Sequence, residues 1–144
     1  MNPEDFKART CAFALRIIRL AESLPNTPTA NVIRNQMLRC GPSVGANYRA
    51  ACRAKSKPDF AAKMGIVEEE ADETVYWIEL LLDAGIVQLA RVAGLLKEAD
   101  EILSITVSSI KTARGLRKTL AFETQSFANS AISNQQSAIV CVTG

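Results

Sequence analysis

Four stretches of the chain place apolar residues three or four positions apart, and breaks containing proline or glycine separate them. In the first stretch, about residues 4–24, the pattern is carried by Phe6, Phe13, Ile17, Leu20 and Leu24. Because residues at this spacing share one face of an α-helix, each stretch predicts an amphipathic helix. The other three helices are predicted at about residues 29–54, 58–83 and 86–120. Their apolar stripes are Ile33, Met37, Cys40 and Val44 in the second helix, then Phe60, Met64, Val67, Ala71, Thr74, Ile78 and Leu81 in the third, and Leu89, Val92, Leu96, Ala99, Leu103, Ile110, Ala113 and Leu116 in the fourth.

Short connections join the predicted helices. The sequence Pro-Asn-Thr-Pro at residues 25–28 ends the first, residues 55–58 end the second, and Ala84-Gly85 ends the third. We expect Thr29 to cap helix two and Pro42 to kink or briefly interrupt it, because proline cannot donate to the carbonyl four residues earlier. Short connections favour antiparallel neighbours, so we predict an all-α, antiparallel, up-down-up-down four-helix bundle.

The last part of the chain differs from the rest in composition. From Thr124 onward it is rich in serine, asparagine and glutamine, and such polar segments do not build a core. The total of 144 residues fits one domain. We therefore predict a bundle over residues 1–121 and a disordered polar tail over residues 122–144.

The absence of histidine from the whole sequence excludes several function classes. Serine or cysteine nucleophiles paired with histidine, zincin-type zinc sites and the Glu-x-x-His di-iron site all need this residue. The carboxylates Glu69, Glu70 and Glu73 fall on one helix face, but a metal site in a bundle also requires histidines. The sequence therefore predicts a protein that is not an enzyme and that binds neither a metal nor a cofactor.

The four cysteines are widely scattered and form no C-x-x-C pair, which argues against a zinc ribbon or a redox motif. Cys11, Cys40 and Cys52 fall among helical apolar positions, which favours small buried side chains over a disulfide or a reactive thiol. The first residues are acidic and lack the apolar core of a signal peptide, and no apolar run approaches about 18 residues. We expect a cytoplasmic protein that does not contact the membrane.

Charge is strongly segregated along the chain although the net charge is only +2. Residues 28–63 contain seven basic side chains and one acidic side chain, a local net charge of +6. Residues 64–83 contain seven acidic side chains and no basic one, a local net charge of −7. A basic helix two beside an acidic helix three can pair with it inside the bundle or present an opposite patch, and both alternatives stay open.

Basic side chains stacked on one face of a bundle can follow the phosphate backbone of RNA or DNA without reading bases. The candidate phosphate contacts are Arg16, Arg19, Arg39, Arg49, Arg53, Lys55, Lys57, Arg114 and Arg117. For the basic cluster at residues 111–118, the alternative is a solvated helix end whose cations are stabilised by the helix dipole. A competing hypothesis for the whole protein is a protein–protein scaffold that uses the acidic face of helix three.

Two polar or amphipathic positions point to structural roles. Asn47 lies one turn after Val44, so we expect it to be buried and to need a hydrogen-bond partner. Glu73 or Thr74 on helix three is that predicted partner, which would make a polar clasp between helices two and three. Trp77, the only tryptophan, is predicted to pack at the flank of the core or at a contact between subunits.

Several short motifs between about residues 4 and 118 match those of a known family. The most specific stretch is Ser43-Val44-Gly45-Ala46-Asn47-Tyr48-Arg49, and the others are Asp5-Phe6-Lys7, Phe13-Ala14-Leu15-Arg16, Gln36-Met37-Leu38-Arg39, Asp59-Phe60, Glu73-Thr74-Val75-Tyr76-Trp77-Ile78-Glu79-Leu80-Leu81 and Ser109-Ile110-Lys111-Thr112-Ala113. Together they resemble the small four-helix bundle proteins that are encoded in intervening sequences of bacterial large-subunit ribosomal RNA genes. This family is related to the accessory variability protein of diversity-generating retroelements.

The resemblance implies a homopentamer of bundles without enzymatic activity. It also implies basic surfaces, which the retroelement relatives use to bind nucleic acid and a reverse transcriptase. Two features depart from the family: Ala50 stands where many relatives carry glutamate, and the chain after Leu120 matches no part of it. We therefore predict a homo-oligomeric, nucleic-acid-binding adaptor whose partners are further copies of itself, RNA or DNA, and a reverse transcriptase.

Overall fold

The computed structural model describes residues 1–115, which form the predicted four-helix bundle. Each helix packs against the next one along the chain, whereas the first and last helices touch only sparsely. None of the helices in residues 1–115 is long and apolar enough to cross a membrane. The helices are α1 (Pro3–Glu22), α2 (Pro28–Ala51), α3 (Lys57–Asp83) and α4 (Leu89–Ala113).

Side-chain caps explain where the first three helices begin. Asn2, Thr27 and Ser56 each accept a hydrogen bond from a backbone N–H in the first turn of the helix that follows. Proline stands at the first or second helical position in all three, where its missing N–H costs nothing. The predicted cap at Thr29 is wrong, because Thr27 caps α2 and Pro28 is its first residue.

Pro42 does not interrupt α2, which runs unbroken from Pro28 to Ala51. The interruption predicted from the sequence is therefore wrong. Proline removes one helical hydrogen bond, but its neighbours Gly41 and Val44 are fully enclosed by the core. Packing on both sides of the proline thus holds the helix together, as tertiary contacts commonly override local propensity.

The core lies along the faces predicted for α1, α2 and α3. Every apolar residue of the predicted α1 stripe is buried, and so are Ile33, Met37, Cys40 and Val44 of α2. On α3 the predicted stripe is buried from Met64 onward. These faces are recognisable from sequence because each helix carries only one strongly apolar stripe.

The buried face of α4 coincides with the predicted one only in part. Val92, Ala99 and Ile110 are buried as predicted, whereas Leu89 is 62% exposed and Leu96 and Leu103 are only half-buried. Leucine, isoleucine and valine occupy two adjoining faces of this helix, so spacing alone does not select the inner one. The buried residues are Val92, Leu95, Ala99, Ile102, Thr106 and Ile110.

Gly85 closes α3 and reverses the chain toward α4, as the Ala84-Gly85 turn predicted. Its φ of 69° lies in the left-handed region that favours glycine. The N–H of Ile86 donates to the Leu81 carbonyl, and the Gly85 N–H donates to the Leu82 carbonyl. These two bonds form a Schellman motif, which satisfies carbonyls that the end of a helix otherwise leaves unpaired.

α1 and α2 approach each other closely at two glycines. A Cβ atom added to Gly41 would lie 2.6 Å from Ile17 Cγ2, and one added to Gly45 would lie 3.3 Å from Thr10 Oγ1. Both Ile17 and Thr10 are fully buried. The absence of side chains at these two positions therefore sets the distance between the two helices.

Substitution Gly41→Ala is expected to destabilise the protein, although alanine is a better helix former. The added methyl group forces Ile17 out of place, which costs about 1–3 kcal/mol and outweighs a propensity gain of about 1 kcal/mol. Gly65→Ala is the matched control, because no atom lies within 4 Å of a Cβ there. Urea unfolding should show that Gly41→Ala lowers the free energy of unfolding and that Gly65→Ala raises it. Equal changes in the two variants would contradict the packing argument.

Candidate nucleic-acid interface

Five of the predicted basic residues gather at one end of the bundle, which we call the basic end. Antiparallel packing brings the last turn of α2, the connection to α3 and the last turn of α4 to this end. Lys57 and Ala113 line the same cavity, which places Arg114 beside the start of α3. All five side chains are exposed: Arg49, Arg53, Lys55, Lys57 and Arg114.

No side chain of the basic end forms an ion pair within residues 1–115. The nearby acids are already engaged. Glu4 pairs with Lys7, and Asp59 pairs with Lys63 on α3. The hydrogen bond from Lys63 and one from the Lys55 N–H hold the pKa of Asp59 below its usual value. The positive charge of the basic end is therefore available to an anionic partner.

A cavity of about 800 Å³ adjoins the basic end between the start of α3 and the second half of α4. Phe60 and Ile105 supply apolar walls, and Lys57 lies at its rim. Hydroxyl groups of Ser104, Ser108, Ser109 and Thr112 also line it. The combination of cation, hydroxyl and apolar surface suits a polar polymer such as a nucleic acid.

A second basic feature lies on the seam between α1 and α4. Arg16 and Arg19 of α1 and Arg91 of α4 line a groove of about 230 Å³, together with Leu20 and Leu95. We call this the arginine groove. The sequence predicted Arg16 and Arg19 but missed Arg91, because only the packing of the first helix beside the last brings Arg91 to them.

Arg39 lies apart from both basic features and is engaged with two acids of α3. Its guanidinium pairs with Glu73 and lies 3.5 Å from Glu70 Oε2, an oxygen that is buried without a hydrogen bond. Hydrogen bonds from Arg39 and from Trp77 Nε1 hold the pKa of Glu73 below its usual value. This geometry places Arg39 in the contact between α2 and α3, so we leave it out of the candidate interface.

The polar clasp predicted for Asn47 is not formed. Asn47 Nδ2 donates to the Ser43 carbonyl on its own helix, at 2.9 Å, and the side chain is only half-buried. Thr74 donates to the Glu70 carbonyl at 2.7 Å and lies 3.2 Å from the buried Cys40 Sγ. The polar contacts between α2 and α3 are therefore made by Arg39 and Cys40, about two turns before Asn47.

Two further arginines have structural roles. Arg9 of α1 donates to Glu98 of α4 at 2.6 and 3.1 Å and also pairs with Glu101, which ties together the two helices that touch least. These hydrogen bonds hold the pKa of Glu98 below its usual value. Arg34 donates to the carbonyls of Ala21, Leu24 and Pro25 and so seals the connection between α1 and α2.

The remaining predictions concern the cysteines, the single tryptophan, and residues near the end of the chain. Cys40 is buried as predicted, and burial raises the pKa of its thiol, whereas Cys11 and Cys52 are exposed. Trp77 is half-buried, with its ring 5.0 Å from the exposed Tyr76 ring. Arg117 lies outside the described residues, as does the predicted tail at 122–144.

Comparison with known proteins gives an independent finding. A family model described as 23S rRNA-intervening sequence protein matches residues 5–108. The crystal structure of a protein with unknown function from the S23 ribosomal protein family of Bacteroides thetaiotaomicron VPI-5482 is similar, with a TM-score of 0.71. Its sequence is 36% identical, over 77% of this chain and 99% of that chain. No curated protein matches this sequence.

Substitution Glu98→Gln is expected to lower the free energy of unfolding at pH 7 by about 1–2 kcal/mol, because Arg9 loses a charged partner. A carboxylate whose pKa is lowered by folding stabilises the folded protein at pH values above its pKa in the unfolded chain, which is about 4.3 for glutamate. This stabilisation is lost as the pH falls through the pKa of the folded state. In urea unfolding, the difference in stability between the two proteins should therefore narrow as the pH falls from 7 toward 3, through the depressed pKa of Glu98. The exposed Glu79→Gln is the control, and a difference that does not narrow on acidification would contradict the assignment.

Proposed function

Because the chain belongs to the 23S rRNA-intervening sequence protein family, we propose that it is a non-enzymatic, homo-oligomeric adaptor that binds RNA. The single observation that carries the proposal is the basic end, where five exposed cations form no ion pair within residues 1–115. The family description links the chain to the intervening sequence of 23S rRNA, which makes RNA the first polymer to test. In the anisotropy experiment below, labelled single-stranded DNA is titrated beside the RNA as the comparison ligand.

The chemistry of the basic end favours backbone contacts over base readout. Lysine and arginine side chains neutralise phosphates and release condensed counterions, which provides affinity without sequence information. The Thr112 hydroxyl donates to the Ser108 carbonyl on its own helix, which leaves its oxygen able to accept a hydrogen bond from a ribose hydroxyl. The Ser108 hydroxyl lines the same cavity. We infer that the protein recognises RNA by charge and shape, with little base preference.

Self-association is the second part of the proposal. Within the described residues, large apolar side chains stay exposed on all four helices, among them Leu15, Val32, Tyr76 and Leu89. Contacts between copies would cover such groups, and the family resemblance favours a homopentamer. Several basic ends on one assembly would raise the affinity for a long RNA by multivalency. A reverse transcriptase partner and a cytoplasmic location stay predictions from the sequence.

A protein scaffold is the second candidate function, and one observation favours it. Glu68, Glu69 and Asp72 of α3 line a groove beside Leu103 of α4, and none of the three acids forms an ion pair within residues 1–115. An acidic groove with an apolar wall suits a basic peptide or protein surface. A stoichiometric protein partner that stays bound after nuclease treatment would favour this function over RNA binding.

Charge reversal of Arg53 and Lys57 together is expected to weaken RNA binding and its salt dependence. If both side chains contact phosphates of a single strand, the plot of log affinity against log salt concentration becomes less steep, and the magnitude of its slope decreases by about 1.4. Fluorescence anisotropy of labelled RNA at several salt concentrations measures the slope. The double variant Arg53→Glu, Lys57→Glu is compared with Lys97→Glu, which reverses one charge on the exposed face of α4.

Two outcomes would contradict the proposal. An unchanged slope in the double variant would remove the basic end from the interface. The absence of salt-dependent binding by the nuclease-treated native protein would contradict RNA binding altogether. Light scattering of the same samples tests the oligomer, since a monomeric mass at micromolar concentration contradicts self-association.

A further inference from the structure

The arginine groove brings three guanidinium groups to one small concavity on the seam between α1 and α4. Its other lining residues, Leu20 and Leu95, are apolar and supply no negative charge. We propose that this groove is a phosphomonoester-binding site that holds the terminal phosphate of an RNA chain. The choice of RNA rests on the proposed function, whereas the phosphate chemistry rests on the groove itself.

The two ends of the same seam differ in charge pairing. Toward the start of α1, Arg9 is neutralised by Glu98 and Glu101. Toward the other end, Arg16, Arg19 and Arg91 form no ion pair within residues 1–115. The field of Arg16 reaches Glu98 and favours its ionised form, but both oxygens of that carboxylate already accept hydrogen bonds from Arg9. The groove therefore gathers three cations that form no ion pair with the acids of the described residues, although Glu98 lies within the field of Arg16.

Gly94 makes room for one of the three arginines. The guanidinium of Arg16 crosses from α1 to α4, and a Cβ atom added to Gly94 would lie 3.3 Å from Arg16 Nη2. This contact places the positive end of Arg16 against the α4 backbone, next in sequence to Leu95 of the groove.

The size and charge of the groove select the ligand class. At about 230 Å³ the groove is smaller than the roughly 300–1,000 Å³ of pockets that enclose drug-sized molecules. It therefore suits a single charged group. A terminal phosphate carries close to two negative charges at pH 7, whereas a phosphate inside an RNA chain carries one. Arginine forks donate paired hydrogen bonds to phosphate oxygens, so three of them match the dianion better than the diester.

The groove and the basic end are far enough apart to act on different parts of one RNA. Arg91 lies in the first turn of α4 and Arg114 follows its last turn, a separation of about 35 Å at 1.5 Å per residue. A strand anchored by its end in the groove can run along the bundle to the basic end. The groove thus recognises a chain terminus, and the basic end contributes affinity for internal phosphates.

The test compares three RNAs of one sequence, about 10–15 nucleotides long, with a 5′-phosphate, a 3′-phosphate or hydroxyls at both ends. The native protein is expected to bind one phosphorylated RNA about tenfold more tightly than the hydroxyl form, as charge-assisted hydrogen bonds imply. Arg91→Gln should bring this ratio close to one. Lys97→Gln removes one charge from the same helix outside the groove and should leave the ratio unchanged.

Binding of adenosine monophosphate tests the arginine groove independently of RNA binding, because this nucleotide carries a terminal phosphate but no polymer. Calorimetry should detect its binding to the native protein and a loss of about tenfold in Arg91→Gln. Equal, salt-dependent binding of all three RNAs would overturn the groove assignment and leave RNA binding intact. Nucleotide binding that needs Arg91, without any RNA binding, would support the groove and overturn the RNA proposal. Circular dichroism spectra confirm that each variant keeps the helical fold.

Discussion

The close approach of α1 to α2 is the constraint on which the rest of the bundle depends. Gly41 admits the buried Ile17 at a distance that a side chain on α2 would not allow, and Gly45 brings the backbone of α2 close to the buried Thr10. α1 is thereby held against α2, while α4 packs on α3 and meets α1 only sparsely. The α1 and α4 seam is consequently joined by the ion pairs of Arg9 and opens into the arginine groove.

This arrangement explains how a chain with segregated charge folds without burying unpaired ions. In the middle of the bundle, Arg39 meets Glu73, so the basic and acidic helices neutralise each other where they are in contact. The cations beyond that contact, from Arg49 onward, extend past the acids of α3 because the helices run in opposite directions. Both alternatives left open by the sequence are therefore realised, internal pairing at the centre and an exposed basic patch at one end.

The separation of charges gives the proposed adaptor two distinct anion-binding surfaces. The basic end is open and spread over three elements, which suits many weak phosphate contacts along a polymer. The arginine groove is small and concave, which suits one doubly charged group. The similar protein from Bacteroides thetaiotaomicron is described only as having unknown function. Each of the two surfaces therefore leads to its own hypothesis: the basic end to contacts with internal phosphates of RNA, and the arginine groove to binding of a terminal phosphate.

Local patterns determined most of the fold. One apolar stripe per helix identified the inner faces of α1, α2 and α3, and proline and glycine marked the connections. Local patterns were insufficient where two choices of inner face or of helix start differ only in their contacts with distant parts of the chain. The two adjoining apolar faces of α4 could not be told apart until α3 covered one of them, and the cap predicted at Thr29 lies at Thr27 instead.

The sequence by itself determined that the chain is a four-helix bundle with segregated charge, since helix periodicity and charge order are properties of neighbouring residues. Only the tertiary structure decided which cations are free. It paired Arg39 with α3, used Arg34 to seal a connection, and brought Arg91 of the fourth helix to Arg16 of the first. The reason is physical: an ion pair or a groove depends on the distance between helices, and the packing of the core sets that distance, as it does at Gly41 and Gly45 between α1 and α2.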